Sequence, residues 1–244
     1  MGKSAMDRDM AGWLDDVAVK LAELPQGREL TAAQETVQLY RERLNSGGAG
    51  AGRSLSSRPL NRLSLVLDDV GLVDDAVIAA EEVCRQTRER VTSHPEDDYP
   101  DLAGGLGNLA RLLDRNDRTE EALAAAEEAV QLSRDYATRH PEPPTLHLAS
   151  SLGILTSVLT GMNRFDDALV TATETVEQYR RLAVTEPDMF TIGIAGSLNY
   201  RAGLLTRLGR LDEAEAAKAE ATRLRQRRPR PPSATPGPPP PAGS

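Results

Sequence analysis

The chain repeats itself every 46 residues. The clearest marker is an alanine that follows two acidic residues, and it recurs at Ala76, Ala122, Ala168 and Ala214. The same interval separates three arginines and three prolines: Arg88, Arg134 and Arg180, and Pro95, Pro141 and Pro187. Self-similarity at a fixed period of this length is typical of solenoids, in which each unit packs mainly on its neighbours.

Each unit has the pattern of a helical hairpin. In the second unit Leu106, Leu109 and Leu113 lie at helical spacing, a turn follows near Asn116, and a second apolar stripe begins at Ala122. The pattern predicts a helix of roughly 14 residues (helix A), a short turn, a helix of about 20 residues (helix B) and a connection broken by proline. The expected fold class is therefore all-α, an α-α superhelix of four stacked antiparallel hairpins.

Composition agrees with a helical stack and excludes several classes of function. Hydrophobic residues make up 39% of the 244 residues but aromatic residues only 3%, so alanine, leucine and valine must form the core, which favours helices. One cysteine and three histidines exclude a disulfide framework and leave little for a metal site. A net charge of -8 disfavours nucleic acid as a partner. Because neither a membrane span nor a signal peptide is recognisable, we expect no membrane association and a cytoplasmic location.

The small and apolar positions of the units resemble the tetratricopeptide repeat (TPR). The matching residues are Ala110, Ala122 and Ala129 with the leucines of the second unit, Phe165 or Leu211 shortly before helix B, and Gly209 at a turn. The usual TPR period is about 34 residues, and 46 is similar to the longer-helix variety of kinesin light chains and bacterial multi-repeat proteins. The resemblance covers residues 57–228 and implies that the A helices line a concave surface. It has two departures: Arg134 and Arg180 stand where a proline is expected, and Arg201 replaces a core leucine in the last unit.

The two ends of the chain depart from the period. We interpret residues 1–46 as a degenerate helical hairpin that caps the stack, residues 47–56 as a glycine-rich flexible joint, and residues 229–244 as a proline-rich disordered tail. The apolar stripe around Trp13 is interpreted as core, with a partner surface as the alternative. A homodimer through the face that carries Met6 and Trp13 is a further hypothesis.

No group of residues has a catalytic pattern. The acidic pair before helix B recurs in all four units, which indicates a structural role at the positive end of the helix dipole. His94 and His140 are equivalent positions next to prolines, and Cys84 stands at a core position. Residues 47–54 nearly spell a phosphate-binding loop but lack its lysine and its preceding strand. We therefore expect no catalytic residue, no cofactor and no metal, and a protein that is not an enzyme.

A strip along the A helices is the candidate partner-binding site. In the second unit the face opposite the core leucines carries Gly104, Asn108, Arg111 and Arg115, and the period extends this strip to the other units. We call it the A-helix strip. Its candidate contact residues are Arg58, Arg62, Leu65, Asn108, Arg111, Arg115, Ile154, Tyr200 and Arg207.

The strip carries five arginines against one aspartate, in a chain of net charge -8. The arginines are suited to the carboxylates of an acidic protein segment, while Leu65, Ile154 and Tyr200 would anchor apolar side chains. The alternative is that the arginines are solvated or paired with neighbouring acids.

Two functions remain open. The first is a non-enzymatic adaptor that binds an acidic segment of another protein in the strip. The second is a regulatory sensor whose array binds a small molecule or peptide and controls an associated ATPase, transcription factor or biosynthetic enzyme. This second function is implied by resemblance to bacterial repeat arrays.

Overall fold

A computed structural model describes residues 5–24, 28–45, 57–91, 95–141 and 146–226. Every regular element in these ranges is an α-helix. In chain order the helices are α1 (Ala5–Ala22), α2 (Arg28–Asn45), α3 (Ser57–Asp69), α4 (Val73–Val91), α5 (Pro95–Arg115), α6 (Thr119–Arg139), α7 (Leu146–Gly161), α8 (Phe165–Thr185), α9 (Pro187–Arg207) and α10 (Leu211–Gln226). The prediction of an all-α superhelix is confirmed. The joint predicted at 47–56 and the tail predicted at 229–244 lie outside the described residues.

Consecutive helices pack in pairs, and each pair packs on the next. Helices α3 and α4 form the first repeat, α5 and α6 the second, α7 and α8 the third, and α9 and α10 the fourth. The A helices are thus α3, α5, α7 and α9, and the B helices are α4, α6, α8 and α10. The hairpin of α1 and α2 packs through α2 against α3.

The same backbone turn joins the two helices of every repeat. One residue per repeat adopts positive φ, and these residues are Gly71 (83°), Asp117 (56°), Asn163 (58°) and Gly209 (74°). Glycine, asparagine and aspartate tolerate this left-handed conformation best. The following amide then donates back to the helix, as Leu72 does to the Leu67 carbonyl at 2.8 Å. The 46-residue period is therefore also a period of backbone geometry.

The marker alanines lie at the contact between the paired helices. All four are buried: Ala76, Ala122, Ala168 and Ala214. Leucines of the facing A helices are buried with them, including Leu60, Leu63, Leu106, Leu152 and Leu198. Because alanine adds only a methyl group, the two backbones can approach closely, and the core needs few aromatic side chains.

Two of the three periodic prolines stand at the starts of A helices instead of breaking long connections, which corrects the predicted lengths of those two helices, while the third, Pro141, follows the end of α6. Helix α5 begins at Pro95 and α9 at Pro187, so both extend to 21 residues instead of roughly 14. Proline suits this place because the first amides of a helix have no partner within the helix. The sequence pattern correctly predicted an interruption at these prolines, but it assigned them to the connection before the A helix, whereas they are the first residues of the helix.

A ladder of ion pairs joins successive B helices and accounts for the 46-residue spacing of three arginines. Each arginine pairs with a glutamate of the next repeat, in the pairs Arg88–Glu128, Arg134–Glu174 and Arg180–Glu220. The first and last pairs measure 2.6 and 2.7 Å between nitrogen and oxygen. These contacts explain why arginine occupies the positions at which the TPR pattern expects proline.

The N-terminal hairpin is held by Asp75, the second residue of the acidic pair in the first repeat. In repeats two to four, the second residue of the acidic pair bonds the arginine three residues before it, in Arg118–Glu121, Arg164–Asp167 and Arg210–Glu213. In the first repeat Leu72 takes the place of that arginine, and Asp75 instead accepts hydrogen bonds from Trp13 Nε1 at 3.1 Å and Lys20 Nζ at 2.6 Å. Leu14 and Val17 are fully buried on the same helix. The stripe around Trp13 thus packs within this chain, as its interpretation as core requires.

Candidate protein-binding surface

Most of the A-helix strip faces solvent, as its position on the helices predicts. Arg62, Arg115 and Arg207 are exposed, and Asn108, Arg111 and Ile154 are partly buried. The two large apolar residues Leu65 and Tyr200 expose 40% and 43% of their surface. The side chain of Arg58 lies outside what the structure describes.

The arginines at the centre of the strip are paired with a buried acid of the preceding repeat. Arg111 Nη1 and Arg115 Nη1 each lie 2.8 Å from Oδ2 of Asp68 on α3, and the Asp68 carboxylate is almost fully buried. Arg111 also donates to Asn108 Oδ1 at 3.1 Å, and Asn108 donates to Ser64 Oγ at 2.9 Å. The first and second A helices are therefore joined by a polar network. About half of each arginine side chain still faces solvent.

Sequence reasoning did not include Asp68 in this site. It lies beside the core residue Leu67, and its side chain crosses to arginines 43 and 47 positions later. An acid next to a core position needs a cation, because an unpaired buried carboxylate is costly. The need of a buried acid for a cation was the only signal in the sequence that could have identified Asp68 as part of the site.

The arginines at the two ends of the strip are not paired in this way. Within the described residues, neither Arg62 nor Arg207 makes an ion pair. The Arg207 guanidinium lies 5.2 Å from the centre of the Phe165 ring, a cation–π contact that leaves its hydrogen-bond donors free. The unneutralised positive charge of the strip is therefore at its ends.

Ile154 is less available than predicted. It packs against the preceding A helix at Gly107, where an added Cβ would come within 2.7 Å of Ile154 Cδ1. The side chain therefore contributes to the contact between α5 and α7. Of the three predicted apolar anchors, Leu65 and Tyr200 are the ones whose surface is free.

The cysteine and the histidine that the structure describes among the candidate reactive residues lie in packing or helix-end positions. Cys84 is fully buried, and burial raises the pKa of its thiol to about 12. His140 follows α6 as its cap, and its ring lies 4.5 Å from that of Tyr136. His94 lies outside the described residues. In the described ranges, no three His, Cys, Asp or Glu side chains are placed to hold a metal ion.

A second surface feature surrounds Arg201 in the last repeat. The equivalent residues Leu63, Leu109 and Leu155 are all buried core leucines. Arg201 instead lines an open groove of about 500 Å³ together with Leu169, Thr173, Glu177 and Arg210. Its Nε is buried and makes no hydrogen bond to any described residue.

Comparison with known proteins supports the repeat interpretation. Residues 102–142 match the family profile described as tetratricopeptide repeat. Comparison with curated protein sequences gives no match. None of the described helices combines the length and the apolar character needed to cross a membrane.

Two solved structures share the fold at low sequence identity. BtubC (BKLC) from P. vanneervenii is 18% identical with a TM-score of 0.60, and the alignment covers 94% of this chain and 96% of that chain. A kinesin-light-chain-like protein of Podosopora anserina with nearly identical TPR-like repeats is also 18% identical, with a TM-score of 0.57 and coverage of 93% and 100%. The resemblance to TPR-like arrays of the kinesin-light-chain kind is thereby confirmed.

Proposed function

We propose that this chain is a non-enzymatic adaptor whose A-helix strip binds a segment of another protein. The observation that carries the proposal is the exposure of Leu65 and Tyr200 on A helices whose other large apolar residues mostly lie in the core. On a surface that also carries arginines, such side chains can anchor apolar residues of a bound segment while the guanidinium groups bind its carboxylates. TPR arrays as a class serve as scaffolds for protein partners, which agrees with this proposal.

We further propose that the segment is acidic where it meets the ends of the strip. Arg62 and Arg207 are exposed and make no ion pair with described residues, so their donors are available to carboxylates. Arg111 and Arg115 keep solvent-exposed nitrogens but share the charge of Asp68. The acidic character required of the partner is therefore concentrated at two points.

Affinity capture with paired variants tests the adaptor function. Leu65→Ser with Tyr200→Ser removes the two apolar anchors. The matched control, Leu39→Ser with Val184→Ser, removes two exposed apolar residues outside the strip, at 44% and 81% exposure. We expect partners retained by the unmodified protein and the control to be lost from the strip variant. Equal capture by both variants would exclude the strip as the binding surface.

The acidic character of the segment requires a separate comparison. Arg62→Glu with Arg207→Glu reverses the two unpaired charges of the strip. Arg181→Glu with Arg225→Glu makes the same charge change at exposed positions on B helices. We expect only the first variant to lose its partner and to reduce the salt dependence of capture. If both variants bind alike, the partner segment is not acidic.

The regulatory sensor is the second candidate, and the groove at Arg201 favours it. The Arg201 guanidinium lines an open groove, and its Nε has no hydrogen-bond partner among the described residues, so the group is suited to bind a small carboxylate ligand through the nitrogens that face the groove. Such a ligand would raise the melting temperature by mass action, and Arg201→Leu would restore the core residue of the other repeats and abolish the shift. A carboxylate library that leaves the melting temperature unchanged would argue against the sensor.

A further inference from the structure

The A helices carry an acidic position that recurs between repeats. Asp68 on α3 and Asp114 on α5 are separated by the 46-residue period. Asp68 takes two arginines of the next A helix, Arg111 and Arg115. The residues equivalent to these arginines on α7 are Ser157 and Gly161. We call the boundary between successive A helices a junction: α3 with α5 is the first, α5 with α7 the second and α7 with α9 the third. The second junction thus has the acid of the first but not its cations.

Asp114 is partly buried and has no partner in the described part of the chain. No hydrogen bond or ion pair reaches its carboxylate there. Gly161 lies directly beside it, since a Cβ added to that glycine would be 3.5 Å from Asp114 Oδ1. The side chain that would cover the acid, as Arg115 covers Asp68, is therefore missing.

The negative charge at this junction is increased by a neighbour. Asp117 stands in the left-handed turn after α5, with φ of 56°. Burial, together with the charge of Asp117, raises the pKa of Asp114. Both effects oppose the charged form of Asp114, and a cation placed beside the two acids would offset them by attracting that charged form.

The third junction, between α7 and α9, has the base but not the acid. The position equivalent to Asp68 and Asp114 is there Thr160, while Arg207 keeps the position of Arg115. Arg207 makes no ion pair with described residues. From the first junction to the third, the described residues therefore present an acid paired with two arginines, an unpaired acid and an unpaired base.

Several positions of the A-helix strip near these junctions are glycines and carry no side chain. Gly104, Gly196 and Gly203 lie within helices and on the strip, and a Cβ added to any of them would meet nothing within 4 Å. Glycine inside a helix costs about 0.5–1 kcal/mol relative to alanine. No packing contact with a described residue requires glycine at these three positions, and without side chains there a partner backbone has room to lie close to the helices.

We propose that Asp114 is the receptor for a basic side chain, preferably arginine, of the protein segment that lies on the A-helix strip. This side chain takes the place that Arg111 and Arg115 take at Asp68. Arg207 then takes an acidic residue of the same segment at the next junction. The inference rests on the proposed adaptor function and deepens it, because the partner must carry a base and an acid in a defined order.

The receptor itself is tested on the full chain by NMR, with carboxyl-labelled aspartate. The probe is N-acetyl-arginine amide, and its uncharged near-isostere N-acetyl-citrulline amide is the control. We expect the arginine compound to move the Asp114 carboxyl signal saturably and to lower its pKa, and the citrulline compound to do neither. An Asp114 signal that responds equally to both compounds, or to neither, overturns the proposal.

Substitution at Gly161 tests the geometry. Gly161→Arg supplies the cation that Arg115 supplies at the first junction, and Gly161→Gln adds a side chain without charge. We expect Gly161→Arg to lower the Asp114 pKa and to block the response to the probe, with Gly161→Gln leaving the pKa close to that of the unmodified protein. If Gly161→Arg leaves the Asp114 pKa unchanged, the site does not accept a guanidinium.

Partner capture separates this inference from the adaptor function. Asp114→Asn and Gly161→Arg should each weaken capture roughly tenfold or more, as expected for loss of a charged hydrogen bond. If Leu65→Ser with Tyr200→Ser abolishes capture but these two variants do not, the receptor assignment fails and the adaptor function stands. If the probe binds at Asp114 while capture is unchanged, the occupant is a small guanidinium compound and the partner assignment fails.

Discussion

Arg115 of the second repeat lies 2.8 Å from the buried carboxylate of Asp68 in the first, and Arg111 reaches the same oxygen. Two positive residues that the sequence assigned to a partner are thus already part of a contact between repeats. A buried carboxylate with two partly exposed guanidinium groups fixes the relative position of α3 and α5. The other carboxylate oxygen, Asp68 Oδ1, is buried without a hydrogen bond from any described residue.

Removing both arginines should destabilise the array. Arg111→Gln with Arg115→Gln leaves Asp68 as an unpaired buried charge, and we expect a loss of about 2 kcal/mol, below the full cost of a buried pair because water reaches the arginines. Urea denaturation followed by circular dichroism measures this loss. Adding Asp68→Asn should recover much of it, and a triple variant as unstable as the double would contradict the pairing.

The contact of Asp75 with the N-terminal hairpin can be followed through the only tryptophan. Asp75→Ala removes the acceptor of both Trp13 and Lys20, and we expect a loss of about 1–2 kcal/mol and a red shift of Trp13 fluorescence as the ring becomes more exposed. The equivalent Glu121→Ala, at an exposed position, should leave the emission unchanged. An unshifted spectrum in Asp75→Ala would show that apolar packing alone holds the hairpin.

The raised pKa of Asp114 makes one contribution to stability depend on pH. The folded state binds this proton more tightly than the unfolded chain, so the contribution of Asp114 is favourable at low pH and is lost as pH rises through its folded pKa. Asp114→Asn should therefore stabilise the protein at pH 7, by a few tenths of a kcal/mol because the group is partly solvated. The difference should vanish near pH 3, and melting temperatures across this range provide the measurement.

Cys84 should be unreactive in the folded protein. Its thiol is fully buried and its pKa is raised to about 12, so almost no thiolate forms at pH 8. We expect thiol reagents to label it only through unfolding, with a rate that increases steeply with urea. Rapid labelling of the native protein would instead indicate local opening of α4.

Each ion pair of the ladder between B helices should contribute little to the free energy of unfolding. Arg134→Ala breaks the central pair with Glu174, and because both side chains contact solvent we expect a loss of about 0.5 kcal/mol that disappears in 1 M salt. Thermal unfolding at low and high salt measures it. A loss that persists in 1 M salt would point to packing of the arginine stem instead of charge.

Much of the fold could be predicted from the chain itself because the repeat is encoded locally. Alanine at the helix contact, glycine or asparagine at the turn and leucine at helical spacing each act within one hairpin, and four copies remove ambiguity. The lengths of α5 and α9 were the exception. A proline signals an interruption, but it permits both the end of one helix and the start of the next.

The sequence by itself determined that this chain is a stack of helical hairpins and which face of each A helix meets solvent, since both follow from short-range periodicity. Only the tertiary structure decided which charges on that face are already paired. The contacts Arg111–Asp68, Arg115–Asp68 and Trp13–Asp75 join residues 43, 47 and 62 positions apart. Whether such side chains meet depends on how one hairpin is rotated and offset on the next, which no local pattern specifies. The same packing leaves Asp114 beside Gly161 with no cation from the described part of the chain.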